Sequence, residues 1–209
     1  MKLILASASP RRSELLTQIG VKFLVKPVNI DETPLLEEHA SDYVVRMAKE
    51  KALACYEIEN ANQAVAILGS DTSVIVDGDI LGKPADFYEA RDMLMRLSGR
   101  EHQVMTSVCL VVPDASLSEA KGREPEICTQ LVTTSVKFKE LSEEQILAYW
   151  QSGEPCDKAG AYAIQGFGAV FVEAIQGSYS AVVGLPLAEV SEMLGSAGIA
   201  VWQTTELAG

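Results

Sequence analysis

Residues Ala64 to Leu68 form a continuous apolar run, and that run constrains the fold more than any other segment of the chain. A strand with one wet face alternates apolar and polar residues, whereas an unbroken run reads as an interior strand. It is expected to end at Gly69-Ser70-Asp71-Thr72. Lys2 to Ala6 reads as another short buried strand. A helix follows it, with Ser9 as N-cap, Pro10 at the first helical position and Glu14 in the first turn. Leu15, Leu16 and Ile19 give this helix its apolar stripe, and Gly20 is placed to end it in a left-handed conformation.

Ser41 is expected to cap a second helix, in which Val44, Val45, Ala48, Ala52 and Leu53 recur at helical spacing while Arg46, Lys49 and Glu50 turn to solvent. Ser73 to Val76 and Asp79 to Leu81 flank Asp77-Gly78, a hairpin dipeptide. Asp86 with Glu89, and Ser142 with Gln145, resemble capping boxes, and Gly99 stops the first of these helices. Gln103 to Val112 and Cys128 to Phe138 read as long strands joined by the polar stretch Pro113 to Ile127, a candidate mobile loop. A strand at Ala169 to Ile175 and a helix around Leu187 to Leu194 complete an α/β pattern, a mixed sheet with flanking helices.

The 209 residues, 48% hydrophobic and evenly spread, suit one domain over residues 1–209 with room for two lobes. Lys2, Leu3-Ile4-Leu5 and Ala6-Ser7-Ala8 imitate a secretory signal, but the apolar stretch is too short, and no later run is long enough for a membrane span. A cytoplasmic protein is expected. Cys55, Cys109, Cys128 and Cys156 are scattered and read as buried free thiols, and with only His39 and His102 a histidine-rich metal site is excluded. The net charge of −12 and the lack of a basic run argue against nucleic acid as a partner. Any phosphate chemistry must use a local positive pocket.

Candidates for such a pocket are present. Ser7-Ala8-Ser9-Pro10-Arg11-Arg12 joins a strand to a helix N-terminus, where free N–H groups and the helix dipole favour anions; a plain capped surface helix is the alternative. Glu32, and Asp71 at a strand end, could together hold a hard divalent cation, although an Asp before Thr also suits a turn. Lys83, fixed between Gly82 and Pro84, and Lys51 are either phosphate ligands or solvated lysines. The small residues of Asp157 to Gly166 suit close backbone approach to a ligand. Gly166-Phe167-Gly168 lacks the third glycine of a dinucleotide fingerprint, and there is neither a P-loop nor a G-x-S-x-G elbow.

Taken in order, Ser7 to Arg12, Glu32, Lys51-Ala52, Gly69 to Thr72, Gly82-Lys83-Pro84, His102 to Thr106, Asp157 to Gly166 and Gly177-Ser178-Tyr179 through Gly184-Leu185-Pro186-Leu187 resemble Maf-like proteins over nearly the whole chain. The resemblance implies a fold related to inosine triphosphate pyrophosphatases, with a nucleotide cleft between two lobes, a divalent metal (Mg²⁺ or Mn²⁺) and a homodimer. The implied activity cleaves a nucleoside triphosphate to monophosphate and pyrophosphate. Asp71 matches the proton acceptor. Arg12, Lys51, Lys83 and Glu32 match phosphate-binding or metal-binding residues, and Ser7 and Ser9 belong to the same phosphate-binding motif. Arg11, Thr72 and Gln165 resemble the branch acting on dTTP and UTP. Ser70 and Ala181 depart from the family pattern, where alanine and a polar residue are more usual. The family also suggests a house-cleaning role on modified nucleotides, or a non-catalytic regulatory role in septum formation.

Overall fold

The computed structural model describes residues 1–59, 65–113 and 124–203. Ten positions of the Pro113 to Ile127 stretch, 114–123, lie outside the described residues, as does Ala64. The elements are β1 (Lys2–Leu5), α1 (Pro10–Gln18), β2 (Phe23–Val25), α2 (Ala40–Glu59), β3 (Val65–Val76), β4 (Asp79–Leu81), α3 (Phe87–Leu97), β5 (Glu101–Val112), β6 (Glu126–Phe138), α4 (Glu143–Gln151), β7 (Val172–Gln176), α5 (Tyr179–Val183) and α6 (Leu187–Ser196). Short 3₁₀ turns occupy Glu154–Asp157, Ala159–Ala161 and Phe167–Phe171. Among the described residues the strands form one seven-stranded mixed sheet in the order β2-β1-β3-β5-β6-β7, with β4 on β3. Strands β2, β1 and β3 are parallel; β3, β5, β6 and β7 run antiparallel in turn. No described helix is long and apolar enough to cross a membrane.

The sheet is covered on both faces, which explains the unbroken apolar run. Leu3, Leu5, Ala66 and Leu68 point into the larger core with α1, α3, α4 and α6, whereas Ile4, Val65 and Ile67 pack with Ala48, Ala52 and Cys55 of α2 on the other face. That alternation is the period of two expected of a strand, with both sides dry.

Strand β3 does not end at Gly69. Its last pair with β1 is Leu5↔Leu68, but β5 stays paired with it as far as Ile75↔Gln103, and β4 joins at Val74. Asp71 therefore lies opposite Ser107 inside a paired strand and is not a turn former. The polar side chains of 70–73 do not break the strand, because β5 satisfies its backbone groups.

Several boundaries also differ. Ser9 makes no side-chain cap; Ser7 Oγ accepts from the Ser9 amide at 3.2 Å instead, and Glu14 lies beyond the first turn of α1. Helix α2 starts at Ala40, its first acceptor being the His39 carbonyl, so Ser41 falls within the first turn. The 3₁₀ turn at Phe167–Phe171 delays β7 to Val172, and α5, five residues long, is too short to show a period. The Asp77-Gly78 turn has positive φ at both positions, as its hairpin requires. The Ser142–Gln145 capping box is complete. Cys55 and Cys109 are buried free thiols, but Cys128 is only partly covered and Cys156 is exposed, so the expectation holds for two of the four.

Helix α2 rests on β3 through a glycine. A Cβ at Gly69 would stand 2.3 Å from the Ala48 carbonyl oxygen and 2.8 Å from the Ala52 amide. Backbone on both sides leaves no room to yield. Gly69→Ala is expected to destabilise the fold by roughly 1–3 kcal/mol, read as a lower urea midpoint at unchanged slope.

The fold is also sensitive to acid through one buried imidazole. His102 is 3% exposed, with Nε2 2.8 Å from the Tyr162 hydroxyl and its ring edge-on to Phe138. Burial, followed by the charge of Arg100, pushes its pKa down from 6.5 to about 4. Because the unfolded imidazole takes up its proton first, the neutral buried ring contributes fully above about pH 6.5, and its contribution is lost as pH falls toward 4. The loss is on the order of 3 kcal/mol. Urea midpoints across this range should fall more steeply for the wild-type protein than for His102→Gln; parallel curves would contradict a buried neutral imidazole.

Candidate active site

The parallel pairing of β1 and β3 brings two chain segments together at one sheet end. The Ala6 amide still bonds the Leu68 carbonyl, and the chain then leaves β1 through Ser7 beside the polar half of β3. Ligands gather at the carboxyl ends of parallel strands. Here a cleft of about 570 Å³ opens, lined by residues of the Ala6–Arg12 segment, Glu32, Tyr43 and Lys51, β3 from Asp71 to Val74, Ile80 to Lys83, five residues between Asp157 and Ile164, and Val182 to Gly184.

One half of the cleft is ionic. Lys51 Nζ lies 2.7 Å from Glu32 Oε1 and 2.8 Å from Asp71 Oδ1, so one ammonium joins a loop carboxylate to a strand carboxylate. The Lys51 and Asp71 side chains are largely buried, while Glu32 is half open to solvent. Burial pushes the Glu32 carboxyl up, but the Lys51 hydrogen bond and charge, with Lys83 and Arg12 behind them, outweigh it and hold its pKa below the ordinary value. Glu32 is therefore ionised at neutral pH.

Arg12 is pinned from three sides. Its Nε donates to the Gly184 carbonyl at 2.9 Å, Nη1 to Ser7 Oγ at 2.9 Å and Nη2 to Thr72 Oγ1 at 3.3 Å. Burial lowers its pKa, opposed by the charge of Asp71, yet a guanidinium stays charged in any protein. Thr72 Oγ1 also lies 2.9 Å from Thr106 Oγ1, which donates to the Ala181 carbonyl at 2.7 Å, and Ser70 donates to the Gly184 carbonyl at 3.1 Å. Side chains from α1, β3 and β5 thus converge on the backbone of α5 and the glycine that follows it.

The remaining candidates are placed less uniformly. Ser9, Arg11 and Lys83 line the cleft, Lys83 on the exposed turn after β4. The Gly82 carbonyl accepts from the Gly160 amide at 3.0 Å and so ties that turn to the Asp157–Gly166 segment. Gln165 is exposed and does not line the cleft, whereas its neighbour Ile164 does. Val74, Leu81, Val104, Tyr162 and Ile164 give the cleft an apolar wall beside the ionic one.

Sequence reasoning overlooked Tyr43, Thr106 and the Gly184 carbonyl as parts of this site. Tyr43 carried a readable signal, since it lies eight residues before Lys51 and so on the same helix face. Burial, with the charges of Asp71 and Glu32, pushes its hydroxyl up to about 12 and keeps it a donor. A backbone carbonyl such as that of Gly184 leaves no trace in side-chain identity.

The pocket contrasts with the protein around it. Five basic side chains, Arg11, Arg12, Lys51, Lys83 and Lys158, face three carboxylates, Glu32, Asp71 and Asp157, in a chain of net charge −12. This is the local positive pocket that the charge argument required. Among the described residues no three His, Cys, Asp or Glu side chains converge as a metal cage. Glu32 and Asp71, already meeting at one cation, are nevertheless a hard-oxygen pair suited to an ion that takes its other ligands from phosphates and water.

The chain is similar to several known proteins. A dTTP/UTP pyrophosphatase of Hahella chejuensis is 50% identical over 202 residues, covering 96% of this chain and 94% of that protein. One of Vibrio cholerae is 49% identical over 193 residues, covering 92% and 96%. A solved nucleoside-triphosphatase, a dITP/XTP pyrophosphatase of Mycobacterium abscessus, is 15% identical with a TM-score of 0.42 and 94% of each chain covered. The model of the Maf-like protein family matches residues 2–197, and the chain belongs to that family.

Proposed function

We propose that the protein hydrolyses dTTP and UTP to the monophosphate and pyrophosphate, using a divalent metal ion. The observation that carries this reading is the excess of basic groups around the Glu32–Lys51–Asp71 bridge, in a cleft large enough for a nucleotide. The names of relatives about 50% identical over nearly the whole chain support the substrate assignment.

The chemistry follows from the placement of the groups. Water attacks the α-phosphorus, a new P–O bond forms, and the bond to the bridging oxygen breaks with pyrophosphate as leaving group. Lys51 engages Asp71 through Oδ1. Asp71 orients the water and takes its proton. Arg12, held by Gly184, Ser7 and Thr72, presents a fixed guanidinium to the phosphates, with Lys51 and Lys83 as further positive charges. Glu32 and Asp71 would hold Mg²⁺ or Mn²⁺, which supplies charge neutralisation on the phosphate oxygens when bound. Positioning and electrostatics meet the main demands of phosphoryl chemistry. The working form is a homodimer in the cytoplasm.

Pyrophosphate release with Mn²⁺ across dTTP, UTP, CTP, GTP, ATP and 7-methyl-GTP tests this reading. Turnover is expected on dTTP and UTP, and Asp71→Asn should lower kcat by about 100-fold or more, the scale of a lost general base. Folded wild-type protein inactive on every nucleotide would leave a non-catalytic binding role as the better account.

Base selection gives a separate expectation. Arg11→Trp should reduce kcat/KM for dTTP and UTP by about 10-fold, the loss of one hydrogen-bonding contact, and should leave the weak turnover of other bases unchanged. Equal losses across the panel would assign Arg11 to general triphosphate binding.

A further inference from the structure

Glu32 is carried by a segment, residues 26–39, that contains neither helix nor strand. Ordering such a segment costs backbone entropy, and a ligand carboxylate on it needs an anchor. Helix α2 supplies one. The Tyr43 hydroxyl donates to the Glu32 carbonyl at 2.9 Å, and Arg46 Nη2 donates to the adjacent Thr33 carbonyl at 3.1 Å. The Arg46 guanidinium also forks onto Glu38, Nε to Oε1 and Nη2 to Oε2, both at 2.7 Å, and Glu38 Oε2 accepts from the Leu35 amide. Such bidentate, charge-assisted pairs combine strength with fixed geometry. The guanidinium carbon lies 5.6 Å from the centroid of the Tyr43 ring, so the two anchors brace each other.

Arg46 is thus not a solvated residue of the outer helix face. Tyr43 and Arg46 stand three residues apart, on neighbouring positions of one helix face, and they hold two consecutive carbonyls of the loop. Lys51, farther along α2, meets the Glu32 carboxylate. A single helix therefore fixes Glu32 through its backbone and through its side chain.

We infer that Tyr43 and Arg46 are positioning residues that set the metal-binding geometry of Glu32, acting through the Glu32 and Thr33 carbonyls. The inference rests on the proposed role of Glu32 as a metal ligand. Residues that orient a ligand commonly change metal affinity by 10–100-fold when removed.

The test is Mn²⁺ binding to the full chain, followed by electron paramagnetic resonance of the free ion, together with the Mn²⁺ dependence of turnover. Arg46→Ala is expected to raise the Mn²⁺ dissociation constant by about 10-fold, and Tyr43→Phe, which loses only the hydroxyl, should shift it in the same direction. In Arg46→Ala, kcat at saturating Mn²⁺ should return close to the wild-type value. In a Glu32→Gln background, adding Arg46→Ala should change the constant no further. Wild-type affinity in Tyr43→Phe and Arg46→Ala, beside weakened binding in Glu32→Gln, would overturn the positioning role and leave the metal reading standing. An equal further loss in the Glu32→Gln background would reduce Arg46 to a structural residue. Unchanged binding in Glu32→Gln itself would remove the metal assignment and this inference with it. Tyr43→Phe decides the question if Arg46→Ala does not fold.

Discussion

The direct contact of α2 with β3 at Gly69 sets the distances on which the cleft depends. Residues 69 and 71 share one face of the strand, because side chains alternate. Ala48 and Ala52, whose backbone meets Gly69, flank Lys51 on the helix. A strand position without a side chain therefore brings the helix close enough for Lys51 to reach Asp71 two residues further on, at 2.8 Å. A larger residue at 69 would lift the helix, and with it the Lys51 bridge and the anchors of Glu32. Packing and chemistry are here one constraint.

Charge is distributed by the same logic. A chain of net charge −12 repels nucleotides at long range, so the positive groups have value only where walls of low polarity exclude water and concentrate their field. Arg12 shows how this is achieved. Its three partners are neutral oxygens of Ser7, Thr72 and Gly184, which orient the guanidinium without cancelling its charge. Lys51, by contrast, is balanced by two carboxylates. The first arrangement keeps a net positive charge ready for phosphate, and the second keeps two anions from repelling each other.

Much of this was legible in residue order because local rules and tertiary structure agreed. The interior strand read from the apolar run Ala64 to Leu68, of which residues 65–68 are described, the Asp77-Gly78 turn and the Ser142–Gln145 cap each had one physical solution, and the structure adopts it. Residues 69–72 were misread because a polar cluster after an apolar run looks like a strand end; pairing with β5, far away in sequence, overrides that local signal. Arg46 was misread for a related reason. Its helical position is peripheral, but a loop that precedes the helix folds back over it. Gln165 marks the opposite limit, since its motif was recognisable while its exposed side chain lies outside the cleft lining.

Two of the departures that the resemblance implies, Ser70 and Ala181, are absorbed by backbone groups. Ser70 is fully buried, so its hydroxyl would be costly without a partner, and the Gly184 carbonyl supplies one. That carbonyl has two lone pairs and accepts from Arg12 as well, so the added hydroxyl shares an acceptor instead of taking it away. At position 181 it is the carbonyl that receives the Thr106 bond, and this contact does not require a polar side chain. The constraint falls instead on Gly184, whose φ of +134 lies where other residues are strained. A site assembled around main-chain acceptors tolerates side-chain change near them as long as the backbone that presents those acceptors keeps its path.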